Sequence, residues 1–357
     1  MASIMLTFTD FAKKWDLDPS PLDPVVQAHP FRLSRSFEGL IREVGDPIWR
    51  QVTPDVRELA DRSGLDDPLS EESLSPVPNL VHRYPNRVLW LVSDRCALHC
   101  RFCTRKRKWR DGPSVAANAD LAPALGYIRE NREVEDVLLS GGDPLLLPLP
   151  RLREILAKLR EIEHVRIIRI GTRVPFALPR RITPELARLL ANFHPVYINM
   201  HCNHPAELSA DAARACALLA DAGIPLGSQT VLLRGVNDHA TVLGELFHRL
   251  LALRVRPYYL MQMDLTRGTA HFRTPVATGL RILRNLRNRI SGLAMPHFVI
   301  DLPGGHGKTA LVPEMVREIG EGRMVVENYL GKLCAYPLLE GEEGELSAFL
   351  AGPGGRQ

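Results

Sequence analysis

The sequence predicts an α/β protein whose parallel sheet curls into a partial (β/α)6, TIM-like barrel, with a helical extension before it and a short segment after it. Three observations predict this. Short β-rich runs near residues 88–93, 136–140, 165–171, 196–201, 226–233 and 255–261 alternate with helical patterns, and such β-then-α succession implies parallel strands joined by right-handed crossovers. The intervening segments carry helix punctuation. The two most unusual short motifs follow the first and second runs, at the C-terminal strand ends where βα loops converge.

Taken in order, residues 1 to about 80 read as helical pieces broken by proline, and DDPLSEESLSPVPNL reads as a Pro- and Ser-rich connection into the core. Between the strands, Thr183, Pro184 and Glu185 supply an N-cap, a proline at the first helical position and an acid in the first turn, ahead of Leu186, Leu189, Leu190 and Phe193 on one face. Ser209 opens another helix that Gly223 closes. The tail EGEEGELSAFLAGPGGRQ is acidic and Gly-rich, with a mobile end expected. The expected division is an extension over 1–80, the barrel over 81–300 and a C-terminal segment over 301–357.

With 357 residues, 45% hydrophobic and 24% charged, the chain can bury a large core without covalent staples. No apolar run approaches the roughly 18 to 20 residues that span a bilayer. The first residues, MASIMLTFTDFAKKWD, lack the apolar core and cleavage site of a secretory signal, so a cytoplasmic location is expected. Six cysteines are too sparse for a disulfide scaffold. Cys202, Cys216 and Cys334 read as ordinary buried thiols. The net charge of +4 is modest, but RFCTRKRKWR, 101–110, holds six basic residues in ten. Such a run reads as a solvated face, or as a place for carboxylates, phosphates or RNA.

The other cysteines carry the chemistry. Cys96, Cys100 and Cys103 in CALHCRFC supply three ligands, where a closed electron-transfer cluster takes four thiolates and structural zinc takes four ligands. One iron of a 4Fe–4S cluster would stay open, with Phe102 as its apolar shield; three reduced thiols around a turn are the plainer reading. The triad resembles the radical S-adenosylmethionine (SAM) superfamily, in which SAM chelates the open iron. One strand later, SGGDPL places Ser140, Gly141, Gly142 and Asp143 where a backbone must approach a ligand closely, and it resembles that superfamily's loop for the methionyl end of SAM. DLPGGHGKTA puts Lys308 in a Gly-rich loop that is not a Walker A match, since only two residues separate Gly304 and Gly307. Lys308 is either a solvated surface lysine or one that holds pyridoxal phosphate (PLP) covalently.

Together, HRYPNR, CALHCRFCTRKR, SGGDPL, RITPEL, GSQTVLLRGVND, VRPYYL, HFRTP and PGGHGKT, in this order over roughly residues 75–313, resemble the lysine 2,3-aminomutase family. The resemblance implies a barrel of the radical SAM type, a 4Fe–4S cluster on Cys96, Cys100 and Cys103, SAM, and PLP on Lys308. It further implies Arg83, Tyr84 and Arg87 at the PLP phosphate, a role suited to guanidinium forks, and His201 and Gln229 at SAM beside Ser140 to Asp143. Arg105 would bind the substrate carboxylate, and Asp264 and Asp301 its side-chain ammonium. Two carboxylates suit an amino acid with a distal cation and repel glutamate; lysine is favoured and arginine stays open. The implied reaction is a radical 2,3-migration of the amino group that makes β-lysine, an isomerisation. An electron donor such as flavodoxin or ferredoxin is the expected partner, with neither membrane nor nucleic acid.

The sequence also departs from the family pattern. No cysteine follows Cys334, and His239 stands where some relatives place a cysteine, so no intersubunit zinc is expected and the family's tetramer is not carried over; a homo-oligomer stays open. Met261 stands where lysine enzymes can have tyrosine, and His306 interrupts the glycine loop. Rival readings are an enzyme supporting β-lysylation of a translation factor, an RNA-modifying radical SAM enzyme, and a non-catalytic iron–sulfur protein.

Overall fold

The computed structural model describes residues 4–109, 118–312, 315–328 and 330–351. Alternation of side chains decides the sheet. In the run from Asp136 to Gly141, Val137 and Leu139 are fully buried while Leu138 and Ser140 are half-buried, and the same period of two continues through Ile168, Ile170, Val196 and Ile198. One face therefore packs against helices and the other lines an interior.

Nine strands form this sheet: β3 (Leu80–Tyr84), β4 (Arg87–Ser93), β5 (Asp136–Gly141), β6 (Ile167–Thr172), β7 (Val196–His201), β8 (Leu226–Leu232), β9 (Val255–Gln262), β10 (His297–Leu302) and β11 (Gly307–Ala310). They lie side by side in chain order. Strands β4 to β10 are parallel, and β3 and β11 are antiparallel edges. The sheet is thus a nearly closed, partial TIM-like barrel, as the alternating pattern predicts. All six predicted strands are present. The two edges are short, five and four residues, and carry little periodic signal, whereas the additional parallel strand β10 is as long as β5 to β7 and was not anticipated.

Helices Ala122–Glu130, Leu149–Arg160, Pro184–Ala191, Ala210–Asp221, Ala240–Ala252 and Val276–Leu286 connect successive parallel strands. Leu152, Ile155, Leu156 and Leu159 of the second form one buried cluster with the outward strand residues. The predicted caps operate: Thr183 accepts from the N–H of Leu186 and Ser209 from that of Ala212, both at 3.2 Å. Toward the interior, Gly171, Asn199, His201, Gly227 and Gln229 are half-buried; small and polar positions there leave room that a complete barrel fills with branched side chains.

The N-terminal extension contains five short helices and one small antiparallel pair, β1 (Met5–Leu6) with β2 (Leu33–Ser34). Phe11, Leu33, Phe37, Ile48, Trp49 and Val52 form a second core around Ala97 and Leu98, inside the cysteine motif. Beyond the barrel, β12 (Val316–Gly320), β13 (Arg323–Glu327) and β14 (Leu333–Pro337) make a separate antiparallel sheet, followed by helix Glu342–Ala351. Cys334 on β14 is exposed, correcting the expectation of a buried thiol: the strand is the edge of a small sheet and all five of its residues are exposed. The predicted mobile end, 352–357, lies outside the described residues. Among the described residues no helix is long and apolar enough to cross a membrane.

Candidate active site

The loop after β4 brings Cys96, Cys100 and Cys103 together. Burial pushes their thiols up, Cys103 to about 11, and each of Cys96 and Cys103 is raised further by neighbouring cysteines. Among the described residues no three such groups converge on one metal ion. The N–H of Arg105 donates to Cys103 Sγ at 3.3 Å, and Arg173 Nη1 donates to Cys100 Sγ at 2.8 Å. Phe102 is 4% exposed and packs near Phe272 and His201.

The SGGD loop, after β5, is laced to the segment leading into Cys96. The N–H of Gly142 donates to Ser93 O at 2.5 Å and that of Asp143 to Arg95 O at 2.6 Å. Gly141 has φ +117°, and a Cβ on Gly142 would lie 2.4 Å from Arg95 O, so glycine is required at both positions. Asp143 turns inward. Its carboxylate accepts from Thr172 Oγ1 at 2.7 Å and from the N–H groups of Arg173 and Val174 at 2.7 and 3.1 Å. It is 5% exposed, so it positions the loop after β6 and has little surface to offer a ligand. His201 and Gln229 are register partners at the tops of β7 and β8; burial holds the His201 imidazole down at about 3, so it is neutral.

The residues that the family resemblance assigns to PLP meet where the sheet's two edges face each other. Arg83 Nη1 donates to Asp301 Oδ1 at 3.0 Å, Lys308 pairs with Asp301, and the N–H of Lys308 donates to Tyr84 Oη at 2.8 Å. Arg87 stacks over the Tyr84 ring, 4.1 Å from its centroid. Asp301 and Lys308 are register partners on β10 and β11. Asp264, just beyond β9, makes no ion pair among the described residues. Burial, then the nearby Asp301 carboxylate, push its carboxyl up to about 7 against the pull of Lys308 and Arg83.

Arg105 is held by a residue the sequence reading passed over. Glu71 accepts from Arg105 Nε at 2.9 and 3.0 Å and from Nη2 at 2.6 Å; it belongs to the segment read only as a connection. Three other charges of the basic run, those of Arg101, Lys106 and Arg107, are also paired. Arg101 is fully buried with Glu58 at 2.6 Å, Lys106 reaches the same carboxylate at 2.7 Å, and Arg107 meets Asp67 at 2.9 Å. This corrects the reading of a solvated or RNA-binding face, because acids at 58–72 neutralise the run from within; Arg110 lies outside the described residues.

Comparison with known proteins fits this geometry. Residues 90–243 match the radical SAM superfamily and residues 283–345 match Lysine-2,3-aminomutase. An L-lysine 2,3-aminomutase from Clostridium subterminale is 49% identical over 82% of this chain and 70% of its own length. The chain belongs to the lysine 2,3-aminomutase family. Another L-lysine 2,3-aminomutase, from Methanococcus maripaludis, is 43% identical over 89% of the chain and 75% of its own length. A glutamate 2,3-aminomutase from Clostridioides difficile is 41% identical over 82% and 69%. Overall identity therefore does not by itself choose the substrate, and the acidic residues must be weighed.

Membership of the lysine 2,3-aminomutase family brings a 4Fe–4S cluster, SAM and PLP, and the residues present fit each group. For the cluster there are three half-buried thiols with an arginine donor. For SAM there are two obligatory glycines and a half-buried, polar interior. For PLP there is Lys308 in a glycine loop, and Arg83 Nε is buried without a hydrogen-bond partner, a donor ready for an anionic oxygen. Arg173 and Glu71 were not singled out from the sequence. Arg173 could have been marked by its charge beside an apolar stretch, but Glu71, next to Glu72, carried no such signal.

Proposed function

We propose that the protein interconverts L-lysine and β-lysine by 2,3-migration of the amino group. The observation that carries the substrate is Asp264, a half-buried carboxyl near Asp301 that makes no ion pair among the described residues. A side-chain ammonium supplies that cation and draws the carboxyl back into its ionised form; a glutamate side chain would add a third negative charge.

When bound, the cluster with SAM supplies a carbon-centred radical that removes a hydrogen atom from substrate, and PLP supplies the unsaturated nitrogen linkage through which the amino group migrates. Cys96, Cys100 and Cys103 would hold the cluster, and Lys308 with Arg83, Tyr84 and Arg87 would hold PLP. His201, Gln229 and the Ser140–Gly142 backbone would line the SAM end. Arg105 would bind the substrate carboxylate and Asp264 with Asp301 the ammonium at the other end, fixing the carbon chain between two charged anchors. A one-electron donor of the flavodoxin or ferredoxin kind would reduce the cluster, and the cytoplasm is the setting proposed.

Anaerobic reconstitution with iron, sulfide, PLP and SAM, followed by dithionite and product analysis on lysine, arginine and glutamate, tests this. β-Lysine is expected from lysine. No β-amino acid from any of the three overturns the proposal. Lys308→Ala should lose the visible PLP absorbance and all turnover while keeping the cluster spectrum.

A further inference from the structure

We infer that Glu71 is a positioning residue that makes the site specific for a free α-carboxylate: it grips one edge of Arg105 and thereby presents the other edge to the substrate. The inference rests on the proposed function above and deepens it.

A guanidinium has two usable forks. Glu71 takes the Nε–Nη2 edge, at 2.6 to 3.0 Å. On the other side, Nη1 makes only long contacts, 3.3 Å to Ser140 Oγ and 3.4 Å to Gly141 O. Charge-assisted bonds are shorter than this, so an incoming carboxylate gains on those contacts. A carboxylate that masked Arg105 would sit on the Nη1–Nη2 edge; Glu71 does not. Burial pushes the Glu71 carboxyl up, but Arg105 holds it below its ordinary value, so it stays ionised.

Glu71 is itself fixed, being 2% exposed on a strap tied down at three places. Leu65 exchanges backbone hydrogen bonds with Leu265 and Arg267, at 2.7 and 3.0 Å, flanking the turn that follows Asp264. Leu69 O accepts from Arg83 Nη2 at 2.5 Å. Leu74 packs under the lysine loop, where a Cβ on Gly305 would meet Leu74 Cδ1 at 2.6 Å. One segment thus connects the carboxylate anchor, the ammonium anchor and the PLP arginine. Because the Arg105 backbone also donates to Cys103 Sγ, the carboxylate is placed relative to the cluster loop as well.

The test compares dissociation constants of L-lysine and L-lysinamide, by calorimetry on protein carrying cluster, SAM and PLP but not reduced, for wild type, Glu71→Gln and Glu71→Asp. Wild type should prefer lysine over its amide. In Glu71→Gln that preference should fall about tenfold or more, the loss expected for one charge-assisted anchor, and Glu71→Asp should restore part of it. Equal weakening of both ligands would mean a merely structural role and overturns the inference, as does tighter lysine binding by Glu71→Gln, which would make Glu71 a mask. Wild type that takes up its cofactors yet binds neither ligand brings down the lysine reading itself.

Discussion

Between about pH 4 and pH 7 the folded protein keeps a proton on Asp264 that the unfolded chain releases, because burial and Asp301 raise this carboxyl from 3.8 to about 7. The folded state then binds more protons than the unfolded one, so Asp264 makes stability fall as pH rises through this window and adds no slope above it. In cofactor-free protein, Asp264→Asn should flatten that part of the curve, read as the difference between melting temperatures at pH 5 and pH 8; an undiminished difference counts against the assignment. In the proposed function the same proton competes with substrate. Wild-type KM for lysine should rise as pH drops below about 7, approaching tenfold per unit, and the Asn variant should lose this dependence. Residue identities of this kind were legible because each stood in a distinctive local string. Glu71, Glu58 and Arg173 were not, since each acts through a partner far away in sequence: Glu58 lies 43 residues from Arg101, and Arg173 lies 73 from Cys100.

Among elements, the strand-to-loop transitions at the tops of β4 and β5 carry the most constraint. Their backbones touch so closely that a single methyl group cannot be inserted at Gly142 without moving Arg95, one residue before Cys96. Gly142→Ala should therefore weaken SAM binding to the reconstituted protein by about tenfold or more with circular dichroism unchanged. Gly126, in helix Ala122–Glu130, has nothing within 4 Å of its missing Cβ; Gly126→Ala should leave SAM binding intact and stabilise by about 0.5–1 kcal/mol. Equal SAM binding by the two variants would remove the constraint. The parallel strands were readable because they are buried on one face and repeat with a period of two. The edges β3 and β11 escaped, since HRYPN and PGGHGKT hold polar and turn residues where a periodic pattern would otherwise stand; β10, HFVIDL, carries an apolar run and went unassigned.

At the scale of the molecule, the N-terminal extension and the barrel share one buried ionic knot. Glu58 comes from the extension, Arg101 and Lys106 from the cysteine loop, and side-chain exposure in the group is at most 2%. Removing the shared carboxylate leaves two buried cations short of a counter-charge, which costs about 3–5 kcal/mol. Glu58→Gln should lose stability of that order in urea unfolding of the cofactor-free protein, and iron retention after reconstitution should fall with it; a loss below about 1 kcal/mol would show that the knot is peripheral. The carboxylate is held below its ordinary value by Arg101 and Lys106 although burial opposes this, so its contribution is present above about pH 4.5 and disappears on acidification. The seam between β3 and β11 has a different consequence. Unpaired strand edges invite pairing with other chains, yet here the two edges of one sheet confront each other, bridged by Tyr84 to Lys308 and Arg83 to Asp301. The proposed PLP seam would thus double as a guard against intermolecular strand addition, and damage to it would be felt as self-association as well as lost turnover.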